Sequence, residues 1–179
     1  HSPTRSNPMK DRWPLALVAI HWLTALLIVG LVVVGSTMVD LAADDPLRRV
    51  LGRLHGVGGL SLGVLTLTRL LVRKLGQSPE PLPLSRLQGL FAGLVQGLLY
   101  VVLFGLSASG LGTALGSDWG GFLRGDVQNA PVLSALLSRQ VHGALIYALV
   151  ALTGVHVIGV MVHQVRKGGA LRRMVPFLR

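Results

Sequence analysis

One stretch near the end of the chain limits the possible folds more than any other. Between Arg139 and Arg166 lie 26 residues without a formal charge, counting histidine as neutral. A run of this length can cross a bilayer as one α-helix, which needs about 20 apolar residues. It contains His142 and His156, and their spacing of fourteen residues puts both on one helix face, roughly 21 Å apart along the axis. Because polar residues inside a membrane are costly and usually functional, the two histidines indicate two sites at different depths.

The rest of the chain has the composition of an integral membrane protein. Of its 179 residues, 51% are hydrophobic and 13% charged, and that charge content is about half the usual level for soluble domains. The uncharged runs predict an all-α, integral membrane four-helix bundle with helices at about 14–39, 50–72, 87–111 and 139–165. These helices form one transmembrane domain over residues 13–166. It is flanked by a segment at 1–12, whose first eight residues read as a tag remnant or trimmed natural sequence, and by a basic tail at 167–179.

The positive charges predict how the bundle is oriented. Four helices put both termini on one side, and that side collects twelve of the seventeen Lys and Arg residues. The positive-inside rule therefore places both termini in the cytoplasm. Five of the seven acidic residues fall on the opposite, outer side. The net charge of +10 thus belongs to the cytoplasmic face, where binding to anionic lipid headgroups explains it better than binding to nucleic acid.

Four histidines fall into two pairs when they are sorted by depth. His55 and His142 each lie near the outer end of a predicted helix, two and three residues beyond an arginine. His21 and His156 lie about 12 and 15 Å from the inner boundary. His163 is three residues from Arg166 and is expected among the inner headgroups, so it is a poorer partner for His21.

Two histidines on different helices at one depth are typical of non-covalent b-type haem ligation. Taken singly, each histidine would be a core residue bonded to a neighbouring carbonyl; four at two matching depths favour two haems b with bis-histidine ligation. A structural zinc site would need further ligands, and no acidic residue lies in the apolar core. The absence of cysteine excludes thiolate metal sites, iron–sulfur clusters and covalently attached c-type haem. With both axial positions filled, electron transfer is favoured over oxygen chemistry at the iron.

Two arginines lie where they could contact the cofactors. Arg69 follows His55 by fourteen residues, so it shares that helix face at the depth of the inner pair. Arg53 lies at the outer end of the same helix. Each is a candidate cofactor-binding residue for a haem propionate, and the alternative for each is snorkelling to lipid headgroups. Glycines recur around the histidines, which suits either a flat macrocycle or ordinary helix packing.

The sequence resembles the bacterial cytochrome b561 family. The resemblance rests on AIHW around His21, RLHGVGG around His55, QVHGAL around His142, GVHVIGVMVHQ around His156, and the terminal LRRMVP. It runs from about residue 11 to the end of the chain, with the helices in the same order. It implies a dihaem b cytochrome of the bacterial inner membrane, with His21, His55, His142 and His156 as the iron ligands.

The resemblance also implies candidate activities. Members of the family include superoxide oxidases, which oxidise periplasmic superoxide to oxygen and reduce ubiquinone, so this oxidoreductase activity is our first hypothesis. The same broad fold serves as the haem anchor of hydrogenases and formate dehydrogenases, so the second is an electron relay for a soluble redox partner. A haem-free carrier is the third. The sequence offers five polar residues as candidates for a quinone site and no basis for choosing among them: Gln96, Ser107, Ser109, Trp119 and Tyr147.

Overall fold

Four long helices lie side by side in the computed structural model, which describes residues 13–76 and 84–175. The long helices are α1 (Leu15–Asp40), α2 (Pro46–Leu75), α3 (Arg86–Leu115) and α5 (Leu137–Lys167), and a short α4 (Trp119–Arg124) lies between the last two. Each long helix is apolar and long enough to cross a membrane. The predicted all-α membrane bundle of four helices is therefore confirmed. The predicted segment at 1–12 lies outside the described residues.

Three of the four long helices, α2, α3 and α5, extend beyond their predicted ranges at both ends, whereas α1 is shifted by one residue. α2 begins at Pro46, about four residues before the predicted start, because the Asp45 side chain accepts a hydrogen bond from the Leu47 amide at 2.8 Å. Proline suits this first helical position because it has no amide hydrogen to leave unpaired. α3 begins with a capping box in which Ser85 and Gln88 each accept a hydrogen bond from the other's backbone amide. Polar caps thus set helix ends that hydropathy alone places too far inward.

The helices pack as two pairs joined in the middle. α1 packs on α2, α3 packs on α5, and α2 with α3 connects the pairs; within the described residues, α5 makes no comparable contact with α1 or α2. The common core contains Leu62, Leu106 and Leu149, all buried. Leu149 lies seven residues from both His142 and His156. An apolar layer therefore separates the two histidine depths.

The connection between α3 and α5 folds back onto the start of α2. Phe122 of α4 is fully buried, and the guanidinium of Arg49 lies 5.0 Å from the centre of its ring. Arg49 also donates a hydrogen bond to the Val127 carbonyl at 3.0 Å, and Arg53 donates to the Leu123 carbonyl at 2.6 Å. These bonds to backbone carbonyls hold the connection in place without neutralising either arginine.

The chain reverses direction after α5. Gly168 and Gly169 have φ angles of 71° and 82°, a region that glycine reaches without a steric penalty. The tail then lies against α1, where Trp22 donates a hydrogen bond to the Met174 carbonyl at 2.7 Å. Trp13 and Lys167 line one cavity at this end of the bundle. We call it the inner end, and the end that carries α4 the outer end.

Candidate functional site

The four histidines meet as two pairs across helix interfaces. At the inner end, His21 of α1 faces His156 of α5, with ring centroids 6.4 Å apart and ring planes at 70°. At the outer end, His55 of α2 faces His142 of α5, with centroids 6.2 Å apart and planes at 69°. These are the two pairs that the comparison of depths predicted. Both span the boundary between α5 and the α1–α2 pair, where the helices themselves pack least.

The spacing within each pair suits two imidazoles that share one metal ion between them. Because a metal-to-histidine nitrogen bond is about 2 Å long, rings bound to opposite faces of one ion have centroids roughly 6 Å apart. No group of three or more His, Cys, Asp or Glu side chains comes together anywhere in the described ranges. A bare metal ion would therefore lack ligands, whereas haem brings four nitrogens of its own and needs only the two axial ones. The pairs thus fit haem better than zinc.

The outer histidine on α5 is held by hydrogen bonds from α3. His142 Nδ1 lies 3.1 Å from the Leu106 carbonyl, to which it donates, and 3.1 Å from the Ser109 hydroxyl. A proton on Nδ1 leaves the lone pair of Nε2 free for a metal, as in many metal-binding histidines. Ser109 was one of the five quinone-site candidates, and the structure places it beside this histidine instead. The sequence could not identify the Leu106 carbonyl as a partner, because every residue has a backbone carbonyl and only the packing of α3 on α5 selects this one.

A glycine lies against each outer imidazole, and at Gly35 a side chain would crowd the ring. A side-chain carbon added at Gly35 of α1 would lie 3.0 Å from the His55 ring, closer than most real contacts of this kind. A carbon added at Gly110 of α3 would lie 3.4 Å from the His142 ring. Neither glycine belongs to the motifs around the histidines, and only the packing of the helices identifies them.

The inner pair has different neighbours. Trp22 stacks edge-on against His21, with ring centroids 5.5 Å apart. Arg69 lies half-buried on α2, and its guanidinium is 5.8 Å from the centre of the Tyr100 ring. The Tyr100 hydroxyl is buried and has no hydrogen-bond partner among the described residues. Arg69 and Tyr100 thus provide a cation and an unused hydroxyl close together, and sequence reasoning missed the tyrosine.

The remaining candidates for a quinone site lie in different parts of the bundle. Ser107 donates to the Gly59 carbonyl, Trp119 is buried with α4, and the Tyr147 side chain is 80% exposed on the outside of the bundle. Of the five quinone-site candidates, Gln96 alone lines the large cavity at the inner end. His163 lines this cavity too, and its Nε2 is buried without a partner among the described residues. We predicted that His163 lies near the inner headgroups. It is a residue of α5, and its side chain lines the cavity between α5 and α3.

Comparison with known proteins agrees with this arrangement. The family model of prokaryotic cytochrome b561 matches residues 12–177. The chain belongs to the prokaryotic cytochrome b561 family. Cytochrome b561 homolog 2 of Escherichia coli (strain K12) is 30% identical over 173 residues, covering 92% of each chain. No solved structure matches significantly.

Membership of the cytochrome b561 family establishes the general class of function. The protein is a membrane electron-transfer protein, and a b-type cytochrome binds haem b. Four apolar helices make it a multi-pass membrane protein.

Proposed function

We propose that this cytochrome b561 binds two haems b, one between His21 and His156 and one between His55 and His142. The observation that carries the proposal is the pair of histidine contacts, each across two helices and each spaced for one shared iron. In each pair the two imidazoles would hold the iron of one haem. When bound, haem would supply one-electron oxidation and reduction.

Arg69 and Arg53 are proposed to bind the haem propionates. Arg69 lies at the inner layer beside Tyr100, whose buried hydroxyl could donate a second hydrogen bond to the same carboxylate. Arg53 is exposed at the outer end and uses its Nε–H group for the Leu123 carbonyl. Its two terminal nitrogens form no ion pair with a described residue, so they are available for a carboxylate. Charge-assisted bonds of this kind are about twice as strong as neutral ones.

We propose superoxide as the electron donor at the outer end, where it would be oxidised to oxygen. Arg48, Arg49 and Arg53 donate to backbone carbonyls and so keep their charge, and Arg139 lies over Gly143, next to His142. None of the four arginines forms an ion pair with a described residue. Arg124, by contrast, pairs with Asp126 at 2.9 Å. Arginines without an ion-pair partner near the outer histidines would attract a small anion and raise its rate of arrival, against the opposing charge of the five aspartates on the same side.

Ubiquinone is the proposed acceptor, and the bacterial inner membrane the proposed location. Twelve of the seventeen Lys and Arg residues lie toward the inner end in the sequence, which favours a cytoplasmic position for both termini. Superoxide formed in the periplasm would then meet the outer histidine pair. Electrons would leave toward ubiquinone at the other side of the bundle.

The visible spectrum of the purified protein tests this function directly. Superoxide generated around the oxidised protein should reduce the haem bands quickly, a superoxide scavenger should prevent it, and added ubiquinone should reoxidise them. Arg139→Gln should slow the reduction several-fold at low salt, whereas Arg124→Gln, which removes an already paired charge, should not. If superoxide does not reduce the haem, superoxide is not the electron donor, and a soluble redox partner becomes the candidate donor.

A further inference from the structure

Two sequence motifs that lie at opposite ends of the chain meet at the inner end of the bundle. The motif AIHW supplies Trp22 as well as His21, and the terminal LRRMVP contains no histidine. The indole N–H group of Trp22 donates a hydrogen bond to the Met174 carbonyl at 2.7 Å, across 152 positions of sequence. The same indole packs edge-on against the ring of His21, with centroids 5.5 Å apart. One side chain thus connects the end of the chain to the inner histidine pair.

The tail is also anchored to α5, the helix that it leaves. The side-chain oxygen of Gln164 accepts a hydrogen bond from the Leu171 amide at 3.1 Å, and a turn of 3₁₀ helix begins there. Met174 follows this turn and lines a small cavity with Leu17 of α1 and Arg69 of α2. The segment from residue 168 to residue 175 is therefore fixed at both ends, to α5 through Gln164 and to α1 through its bond with the indole.

This segment crosses a boundary at which the helices themselves pack little. His21 lies on α1 and His156 on α5, yet within the described residues these two helices make no contact comparable to that of α1 with α2 or of α3 with α5. Direct packing between α1 and α5 therefore cannot fix the separation of the two rings. The end of the chain provides a connection between them at this depth.

Trp22 has few alternatives to its bond with the tail. Indole has one hydrogen-bond donor and no acceptor. The side chain is 46% exposed, on a helix whose surroundings are membrane lipid rather than water. An unpaired donor or carbonyl is costly in lipid, so both partners favour the bonded arrangement. The bond therefore restrains the indole, and the indole edge restrains the ring of His21, as groups around metal-binding histidines commonly do.

We propose that residues 168–175 form a strap that ties α5 to α1 and, through Trp22, fixes the position of His21 relative to His156. Trp22 is a positioning residue in this proposal, because it acts through the histidine beside it. The inference rests on the proposed haem between His21 and His156, and it adds the segment that holds this site together. The outer pair is held differently, because there His142 is bonded to the Leu106 carbonyl of α3.

The rate of haem release tests the strap at one site at a time. The His142→Ala protein should carry only the inner haem, whose transfer to excess apomyoglobin is followed by absorbance. Trp22→Phe keeps an aromatic ring beside His21 but removes the donor, so the inner haem should be released roughly fivefold faster, the factor for one typical hydrogen bond. Arg172→Gln, an exposed change in the same tail, should not alter the rate.

Deletion of residues 170–179 removes the acceptor of the same bond. It should speed release of the inner haem at least as much as Trp22→Phe does. The two changes together should be no faster than the deletion alone, because each removes the same contact. In the His21→Ala protein, which should carry only the outer haem, neither change should alter the rate of release.

Two further measurements separate positioning from a general loss of stability. The electron paramagnetic resonance signal of oxidised haem depends on the relative orientation of its axial imidazoles, so Trp22→Phe should shift the signal of the inner haem and not only weaken it. The chain has no cysteine, so Leu15→Cys and Val165→Cys, at positions 71% and 82% exposed, can carry spin labels on α1 and α5. Deletion of residues 170–179 should broaden the distribution of distances between the labels in haem-free protein.

Each contrary result has a distinct meaning. Wild-type release and an unshifted resonance signal in Trp22→Phe would overturn the positioning role of this residue. An unchanged distance distribution after the deletion would overturn the strap. If His21→Ala retains both haems, the inner haem assignment itself fails, and the distance measurement alone decides whether the tail holds α1 to α5.

Discussion

The inner and outer histidine pairs have nearly the same geometry but different surroundings. At the outer end, His142 is bonded to α3 and each ring lies against a glycine, while arginines hold α4 over the helix ends. At the inner end, His156 borders a cavity instead. The outer layer is thus closely packed, and the inner layer borders a cavity. Two histidine pairs of similar geometry can therefore have different roles, because the residues around them differ.

Removal of one histidine from one pair should have the largest effect. His142→Ala should lose the outer haem, because one of its two proposed iron ligands is removed. The inner haem should stay bound, because the inner pair is about 21 Å away by helix rise. Haem content per chain should therefore fall by about half. Haem content and the visible spectrum measure this. His163→Ala, on the same helix, should retain both haems. A variant of His142 with both haems still bound would contradict the outer assignment.

Crowding of the outer pair should have the next largest effect. Gly35→Ala adds a carbon within 3.0 Å of the His55 ring, so the ring or α1 must move, and overpacking of this kind typically costs about 1–3 kcal/mol. We expect a lower thermal midpoint and an altered outer-haem spectrum. Gly30→Ala on the same helix is the control, since nothing lies within 4 Å of its added carbon. Equal behaviour of the two variants would show that Gly35 does not set the position of His55.

Removal of a positive charge at the inner layer should change the reduction potential of the inner haem and leave that of the outer haem unchanged. Arg69→Gln removes a cation near the inner pair, and a nearby positive charge favours reduced haem, so the inner potential should fall. The expected change is on the order of 60 mV, which is a tenfold change for a one-electron couple. A redox titration of both haems measures it, with Arg124→Gln at the outer end as the control. An unchanged inner potential would indicate that Arg69 points to the lipid headgroups.

The smallest effect should come from the second partner of His142. Ser109→Ala removes one of two groups near Nδ1 but leaves the Leu106 carbonyl, so both haems should stay bound. The loss of one hydrogen bond costs about 1 kcal/mol, and the outer potential should shift slightly while the inner one does not. Ser107→Ala provides the comparison, because that hydroxyl bonds to the Gly59 and Leu103 carbonyls and not to a histidine. A larger shift of the outer haem's reduction potential in Ser107→Ala than in Ser109→Ala would contradict the assignment of Ser109 as the partner of His142.

Much of the architecture follows from the sequence because a membrane restricts what a chain can do. Bilayer thickness sets the length of a span, and helix rise converts residue number into depth. Those two constants are sufficient to pair His21 with His156 and His55 with His142 before any coordinates are known. The four spans, their order and the two layers were therefore predictable. The helix ends were less so, because Asp45 and Ser85 cap helices outside the apolar runs.

Only the tertiary structure decided which way each helix face points. Lipid is as apolar as a protein core, so hydrophobic residues lie on the outside as readily as inside: Leu26 and Val29 of α1 are 70% and 63% exposed. Hydropathy therefore could not show that His163 faces α3 or that Ser109 bonds His142. Nor could it find Gly35, Gly110 and Tyr100, whose positions depend on helix rotation and on contacts between distant parts of the chain. Depth is a property of one helix and follows from its sequence, whereas rotation is settled only when neighbouring helices pack.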